Sequence, residues 1–209
     1  AELNSTAVMK LRDQRADAPE AANAIVKAIR QVYQYALEYQ VAGVTADPTR
    51  DVKNLRPINP DGFHAWTTEE VEKFEYTHPI GTKARLALSL MLYAGCVRRS
   101  DVVLLGRQHL TKDGRLNYRQ HKGRDKSPVE IDVPVIDELR KVLDASPLGD
   151  MTFLVTEFGR PFTPNGFGNW FKKRCVEAGI PHCSAHGVRK VAAAKLAELG
   201  IEESSPGPE

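Results

Sequence analysis

A chain of 209 residues has room for one domain, or one domain plus part of another, and its 42% apolar content supports a core and argues against wholesale disorder. A formal charge of +2 does not by itself announce a polyanion-binding protein, and no stretch approaches the roughly 20 apolar residues of a membrane span. The start Ala1-Glu2-Leu3-Asn4 carries neither a signal-peptide pattern nor an initiator Met, and the three cysteines, Cys96, Cys175 and Cys183, form no disulfide framework. These features fit a cytoplasmic protein in a reducing compartment, present as a fragment or a processed chain.

The first element is a long helix over about residues 18–41. Asp17 is placed to cap it, Pro19 suits its first turn, Ile25, Ile29, Val32, Ala36 and Leu37 form an apolar stripe, and Gly43 is placed to close it. From Asp47-Pro48 through Pro57 and Pro60-Asp61-Gly62 the chain is rich in breakers and reads as a linker. One helix and its approach cannot bury a core alone. Residues 1–57 therefore read as the C-terminal part of a helical domain with its linker, residues 58–200 as a second domain, and 201–209 as a polar tail expected to be disordered.

The second domain opens on Thr67-Thr68-Glu69-Glu70, a capping box ahead of Val71 and Phe74. Ala84 to Tyr93 is a dense apolar helix that belongs at the centre of the fold. Asp113-Gly114 signals a hairpin, and Leu116, Tyr118 and then Val129, Ile131 and Val133 alternate as strands around a turn at Lys122-Gly123-Arg124-Asp125. Helices follow at about Ile136–Leu143, Asn165–Ala178 and His186–Leu199. The expected fold class is mainly α with a small antiparallel β-sheet (α+β).

Chemistry concentrates in three places. Between Arg107 and Lys126 seven cations face two anions, a local surplus that can bind a polyanion although the whole chain is nearly neutral. Breaking a phosphodiester needs positive groups on the non-bridging oxygens, an acid for the leaving alkoxide and an in-line nucleophile. Arg98 and Arg189 can grip a phosphate with planar, permanently charged forks. His186 and Arg189, three apart at a helix start, face the same way, and the helix N-terminus favours an anion. Lys122, at the tip of a basic hairpin, can reach a scissile oxygen as proton donor, and Asp101 can orient an arginine. His182, Cys183 and His186, with Cys175 upstream, lack a paired Cys-x-x-Cys, so the sequence gives no metal site. Ser184 sits on no strained elbow, and Phe167, Trp170 and Phe171 read as core packing on an amphipathic helix.

The run Leu90-Met91-Leu92-Tyr93-Ala94-Gly95-Cys96-Val97-Arg98-Arg99-Ser100-Asp101 resembles the first-arginine motif of the tyrosine recombinases, the phage-integrase family. The Lys122 hairpin is similar to that family's catalytic-lysine hairpin, and Ala185-His186-Gly187-Val188-Arg189-Lys190 to its His-x-x-Arg box, in the same order from about Thr67 to Gly200. The resemblance implies Arg98, Lys122, His186 and Arg189 as catalytic, with Asp101 behind them and Arg99, Arg119, Arg124, Lys126 and Lys190 on DNA. It implies duplex DNA as partner, no cofactor or metal, no membrane, and tetramers assembled on DNA, with this chain a monomer off DNA. The N-terminal helix is similar to the end of the family's core-binding domain, which with the catalytic domain forms a C-shaped clamp on duplex DNA. Two features depart from the pattern. Gly95 lies three residues before Arg98 rather than two, and no tyrosine follows Tyr118, although the family places its nucleophilic tyrosine after the His-x-x-Arg box. The expectation is a DNA-binding recombinase or integrase chain, inactive in strand transfer because its nucleophile is missing. The alternatives are a nucleophile-less DNA-binding relic or competitor, and an unrelated helical interaction protein.

Overall fold

The structure is a computed structural model that describes residues 3–58, 62–95, 97–121, 127 and 129–198. The chain divides into two units, Ala1–Gly62 and Phe63–Glu209. Among the described residues no helix is long and apolar enough to cross a membrane.

Among its described residues the N-terminal unit holds two helices, α1 (Ser5–Asp13) and α2 (Pro19–Glu38). The first was not legible as an element; Asn4 caps it by accepting from the Ala7 N–H at 2.9 Å. Helix α2 starts at Pro19 with Ala18, not Asp17, in the capping position and no side-chain cap. Proline at the first helical position sets the register of the start and leaves Asp17 one residue too early to reach the free N–H groups. Gly43 does not close the helix. Gln40 takes the left-handed conformation (φ 51°), and Val41 N–H returns to the Ala36 carbonyl at 2.8 Å in a Schellman turn. The buried face of α2 carries Ala22 and Val26, whereas Val32 is exposed. The breaker-rich stretch after α2 is partly docked on it. Asn23 exchanges two hydrogen bonds with the Leu55 backbone, Arg30 donates to Thr49 Oγ1 and its carbonyl, and Val52 joins Val8 and Val26 in a small core.

In the second unit Thr67 and Glu70 form the expected capping box at the start of α3 (Thr68–Thr77). Helix α4 (Lys83–Tyr93) is buried over nearly all its length, Leu86, Leu88, Leu90, Met91 and Leu92 being 1% exposed or less. A helix apolar on every side has to be surrounded. Here α8 (Ala185–Glu198) and α6 (Asp137–Ala145) pack on it. At its C-terminal end Tyr118 Oη donates to the Ala94 carbonyl at 2.8 Å, joining the helix to the sheet.

That sheet has two antiparallel strands, β1 (Arg115–Arg119) and β2 (Glu130–Pro134), with Leu116 opposite Val133 and Tyr118 opposite Ile131. The Asp113-Gly114 turn is present (Gly114 φ 77°), but the strand before it contributes a single bridge, Leu110 to Leu116. The solvent face carries Arg115–Asp132 at 2.9 Å and Arg119–Glu130 at 3.6 Å. Exposed pairs of this kind contribute about 0–1 kcal/mol, against about 2–5 kcal/mol lost when one core leucine is cut back to alanine. The buried face, not the ion pairs, holds the sheet. A four-residue helix, α5 (Arg99–Val102), follows α4, and α7 (Pro164–Glu177) precedes α8. Phe167 and Phe171 on α7 are fully buried and Trp170 packs against the same core, as the amphipathic pattern requires.

Gly95 controls how the chain leaves α4. Its φ is 76°, and a Cβ there would stand 2.7 Å from Ile131 Cγ2. Gly95→Ala is expected to lose about 1–3 kcal/mol of stability in urea denaturation, from left-handed strain plus the clash with β2.

Candidate functional site

Arg98 stands at the N-cap of α5, three residues beyond the Gly95 turn, so the reversal at the end of α4 sets where its side chain begins. Its Nη1 donates to Gln120 Oε1, a buried amide just past β1. Three residues on, Asp101 is 2% exposed. Its Oδ1 accepts from the His121 N–H at 2.8 Å and from the Ser100 hydroxyl at 3.4 Å, while its Oδ2 is buried without a hydrogen-bond partner among the described residues. Among the described residues Asp101 thus grips the backbone at the residue directly before Lys122 rather than an arginine. Lys122, Arg124 and Lys126 lie outside the described residues.

His186 and Arg189 sit on the first turns of α8. The imidazole stacks on the Phe63 ring, centroids 4.4 Å apart and 17° from parallel. Burial, and then the charge of Arg99, hold its pKa below the ordinary value, so the neutral ring is favoured near pH 7. The first turn of α8 also presses on the segment before α3. A Cβ at Gly187 would lie 2.0 Å from the His64 carbonyl oxygen and 2.8 Å from Trp66 Cδ1, so only glycine fits. The Trp66 indole N–H donates to the Ser184 carbonyl at 2.9 Å, and Lys190 Nζ donates to the Phe63 carbonyl at 3.2 Å.

These elements enclose a cavity of about 320 Å³ lined by Arg98, Arg99, Ser100, Pro164, His186 and Arg189, with Val97 and Ala185. Three guanidinium-bearing residues and an imidazole face it, and among the described residues no carboxylate is in the lining. Such a cavity suits an anion with several acceptor oxygens. Arg99 is steadied by Asn165 Oδ1 at 3.1 Å and lies against Gly168 of α7. Arg119 is not in this cavity; it pairs across the sheet with Glu130. Gln120, Phe63 and Asn165 were not singled out by the sequence. No local motif marks them, because their roles come from contacts with residues distant in the chain.

Beside the cavity, a second group of side chains converges: His64, Glu70, His182 and Cys183, whose nitrogen, oxygen and sulfur atoms all lie within 4.8 Å of one another. Burial resists ionisation of Glu70, but the Thr67 N–H and the two imidazoles outweigh it and hold its pKa down to about 2. Burial, with Glu70 alongside, pushes the Cys183 thiol up to about 12. His186 and Cys175 are not members of this group.

The sequence matches the phage integrase family over residues 67–205, so the chain belongs to that family, and its second unit has the tyrosine recombinase catalytic fold. Among solved structures it is similar to a lambda integrase (75–356) dimer bound to a COC′ core site, with a TM-score of 0.70 and 18% identity over 98% of this chain and 80% of that one. It is similar also to a lambda integrase tetramer bound to a Holliday junction (TM-score 0.72, 17% identity, 100% and 67% of the two chains). A third likeness is to the Tn1549 transposon integrase in complex with circular intermediate DNA (TM-score 0.64, 14% identity, 96% and 75%). No curated protein sequence matches the chain.

The electrostatics of the cavity can be read directly. In a histidine NMR titration the His186 midpoint is expected below 6.5, and Arg99→Ala should move it upward without restoring it fully, because burial is the larger cause. A midpoint at or above 6.5 in the unaltered protein would contradict the burial of the ring, and an Arg99→Ala midpoint no higher than the unaltered one would contradict the effect of Arg99 on it.

Proposed function

We propose that this chain binds duplex DNA with one backbone phosphate in the cavity between α5 and α8, as the catalytic domain of a site-specific recombinase. The observation that carries this reading is the convergence of Arg98, Arg99, His186 and Arg189 on one cavity with no carboxylate in its lining among the described residues. Arg98 and Arg189 clamp the non-bridging oxygens, and His186 donates a further hydrogen bond to the same phosphate. Asp101 holds the backbone ahead of Lys122, and Lys122 gives a proton to the leaving 5′-oxygen. In the full reaction a tyrosine oxygen attacks the phosphorus as the bond to the 5′-oxygen breaks. The resulting 3′-phosphotyrosyl ester stores the phosphodiester energy, so the chemistry calls for no metal or high-energy cofactor.

Residues 119–209 contain no tyrosine, and the six tyrosines present all precede the His186–Arg189 box. The 209-residue polypeptide is therefore proposed to bind DNA without forming that ester. The helices of residues 1–57 are proposed to be the C-terminal part of a core-binding domain that adds contacts to the same duplex, with Arg119, Arg124, Lys126 and Lys190 on the flanking backbone. The protein is proposed to act in the cytoplasm and to be a monomer off DNA, as light scattering at low concentration should show.

The test is a binding titration on duplex DNA at several salt concentrations. The logarithm of the affinity should fall linearly with the logarithm of salt. Arg98→Ala and Arg189→Ala should each weaken binding by about 10-fold or more, the equivalent of one hydrogen bond to a charged group, and flatten the salt slope by about one unit. Denaturing gels of the same mixtures should show no protein–DNA adduct. Salt-independent binding, or binding indifferent to both substitutions, would overturn the placement of a backbone phosphate in this cavity.

A further inference from the structure

We infer that His64, Glu70, His182 and Cys183 form a binding site for one divalent transition-metal ion of the zinc type, joining His64 and the first turn of α3 to the segment before α8. Four ligating groups of the kinds zinc prefers, two imidazoles, a carboxylate and a thiol, meet within 4.8 Å. A tetrahedral zinc ion with bonds of 2.0–2.3 Å sets its ligand atoms roughly 3.3–3.8 Å apart, so only a small contraction is needed.

The hydrogen bonding also points to a cation. His64 Nε2 lies 3.0 Å from Glu70 Oε1 and 2.8 Å from Oε2, and His182 Nε2 hydrogen-bonds to the same Oε1. The two rings meet edge to face, centroids 4.8 Å apart. In the metal-free state both imidazoles crowd protons onto one carboxylate, with the Cys183 thiol beside it. A single ion replaces those protons. Two neutral imidazoles, one carboxylate and one thiolate carry −2 in total, which cancels the charge of a divalent ion in a half-buried place.

The surrounding structure holds the ligands. Glu70 Oε2 accepts from the Thr67 N–H at 2.8 Å, leaving Oε1 for the ion. A Schellman turn at Gly179, in which Ile180 N–H returns to the Cys175 carbonyl at 2.9 Å, ends α7 and aims the chain at Cys183. Lys172 donates to the Cys183 carbonyl at 3.0 Å and fixes the loop from the other side. Cys183 is fully buried, while the His64 and His182 side chains are 40% and 54% exposed and provide the way in. Four protein ligands close the coordination sphere, so the ion's role is structural. It would clamp the first turn of α8, and with it His186 and Arg189, against residues 63–67.

The test uses the untagged 209-residue chain, stripped with a chelator and dialysed against Co2+ and then Zn2+. One equivalent of Co2+ should be retained, with the visible bands of tetrahedral cobalt and a thiolate-to-cobalt charge-transfer band. Zn2+ should displace it and raise the thermal midpoint. Cys183→Ser should abolish the charge-transfer band while Cys175→Ser keeps it. His182→Ala, at a half-exposed position and so mild for folding, should weaken retention by more than the roughly 10–100-fold typical of losing a group behind the ligands, with far-UV circular dichroism unchanged. Failure to retain an equivalent of either ion, a charge-transfer band that survives Cys183→Ser, or His182→Ala binding like the unaltered chain would each overturn the site. None of these readouts involves DNA, so the result is independent of the recombinase reading.

Discussion

Helix α4 needs neighbours on every side, and most of the second unit follows from that need. Its leucines and Met91 have no solvent face, so α8 and α6 must lie against it and the sheet must meet its C-terminal end. Removing any one of these partners would return several apolar side chains to water at about 1.5–3 kcal/mol each. The two helix ends that matter for chemistry, the exit of α4 and the start of α8, are therefore held by the largest favourable interaction in the fold.

Those two ends are tuned by glycine. Gly95 turns the chain in the left-handed conformation under the side chain of Ile131, and Gly187 lets the first turn of α8 approach the His64 carbonyl. Both exchange a side chain for closeness, and both stand within three residues of a cation in the cavity. The glycine one position earlier than the family's usual spacing still leaves Arg98 in the cavity lining, because α5 begins at once and the Gln120 amide catches the guanidinium.

Phe63 to Trp66 is the least conspicuous part of the chain and one of the most connected. The Phe63 ring covers His186, the Phe63 carbonyl takes Lys190, His64 faces Glu70, and Trp66 holds Ser184. This short extended stretch acts as a strap across the start of α8. Its polar contacts are half-exposed and individually weak, whereas the core around α4 is not; a clamp of greater strength on this strap would chiefly affect where His186 and Arg189 point.

The sequence by itself determined the local elements and the order of the basic motifs. The capping box at Thr67, the apolar run of α4, the alternation at Leu116 and Tyr118 and the amphipathic pattern of α7 are all encoded within a few residues of where they act. It did not reveal α1, whose mean apolarity is low, and for α2 it placed the start but chose the wrong cap in Asp17 and ran the far end too long, where a Schellman turn on Gln40 competes with the more obvious Gly43. Only the tertiary structure decided which cations share a cavity, that Asp101 serves the backbone of His121, and that His182, 112 residues from Glu70, and Cys183 beside it meet that carboxylate rather than His186 from next door. The physical reason is the range of the forces that leave a trace in sequence. Hydrogen-bonding turns and helical stripes act between near neighbours and so appear as spacing, while convergence across α4 and α8 is fixed by packing, which the sequence records only as the bulk and apolarity of the residues between.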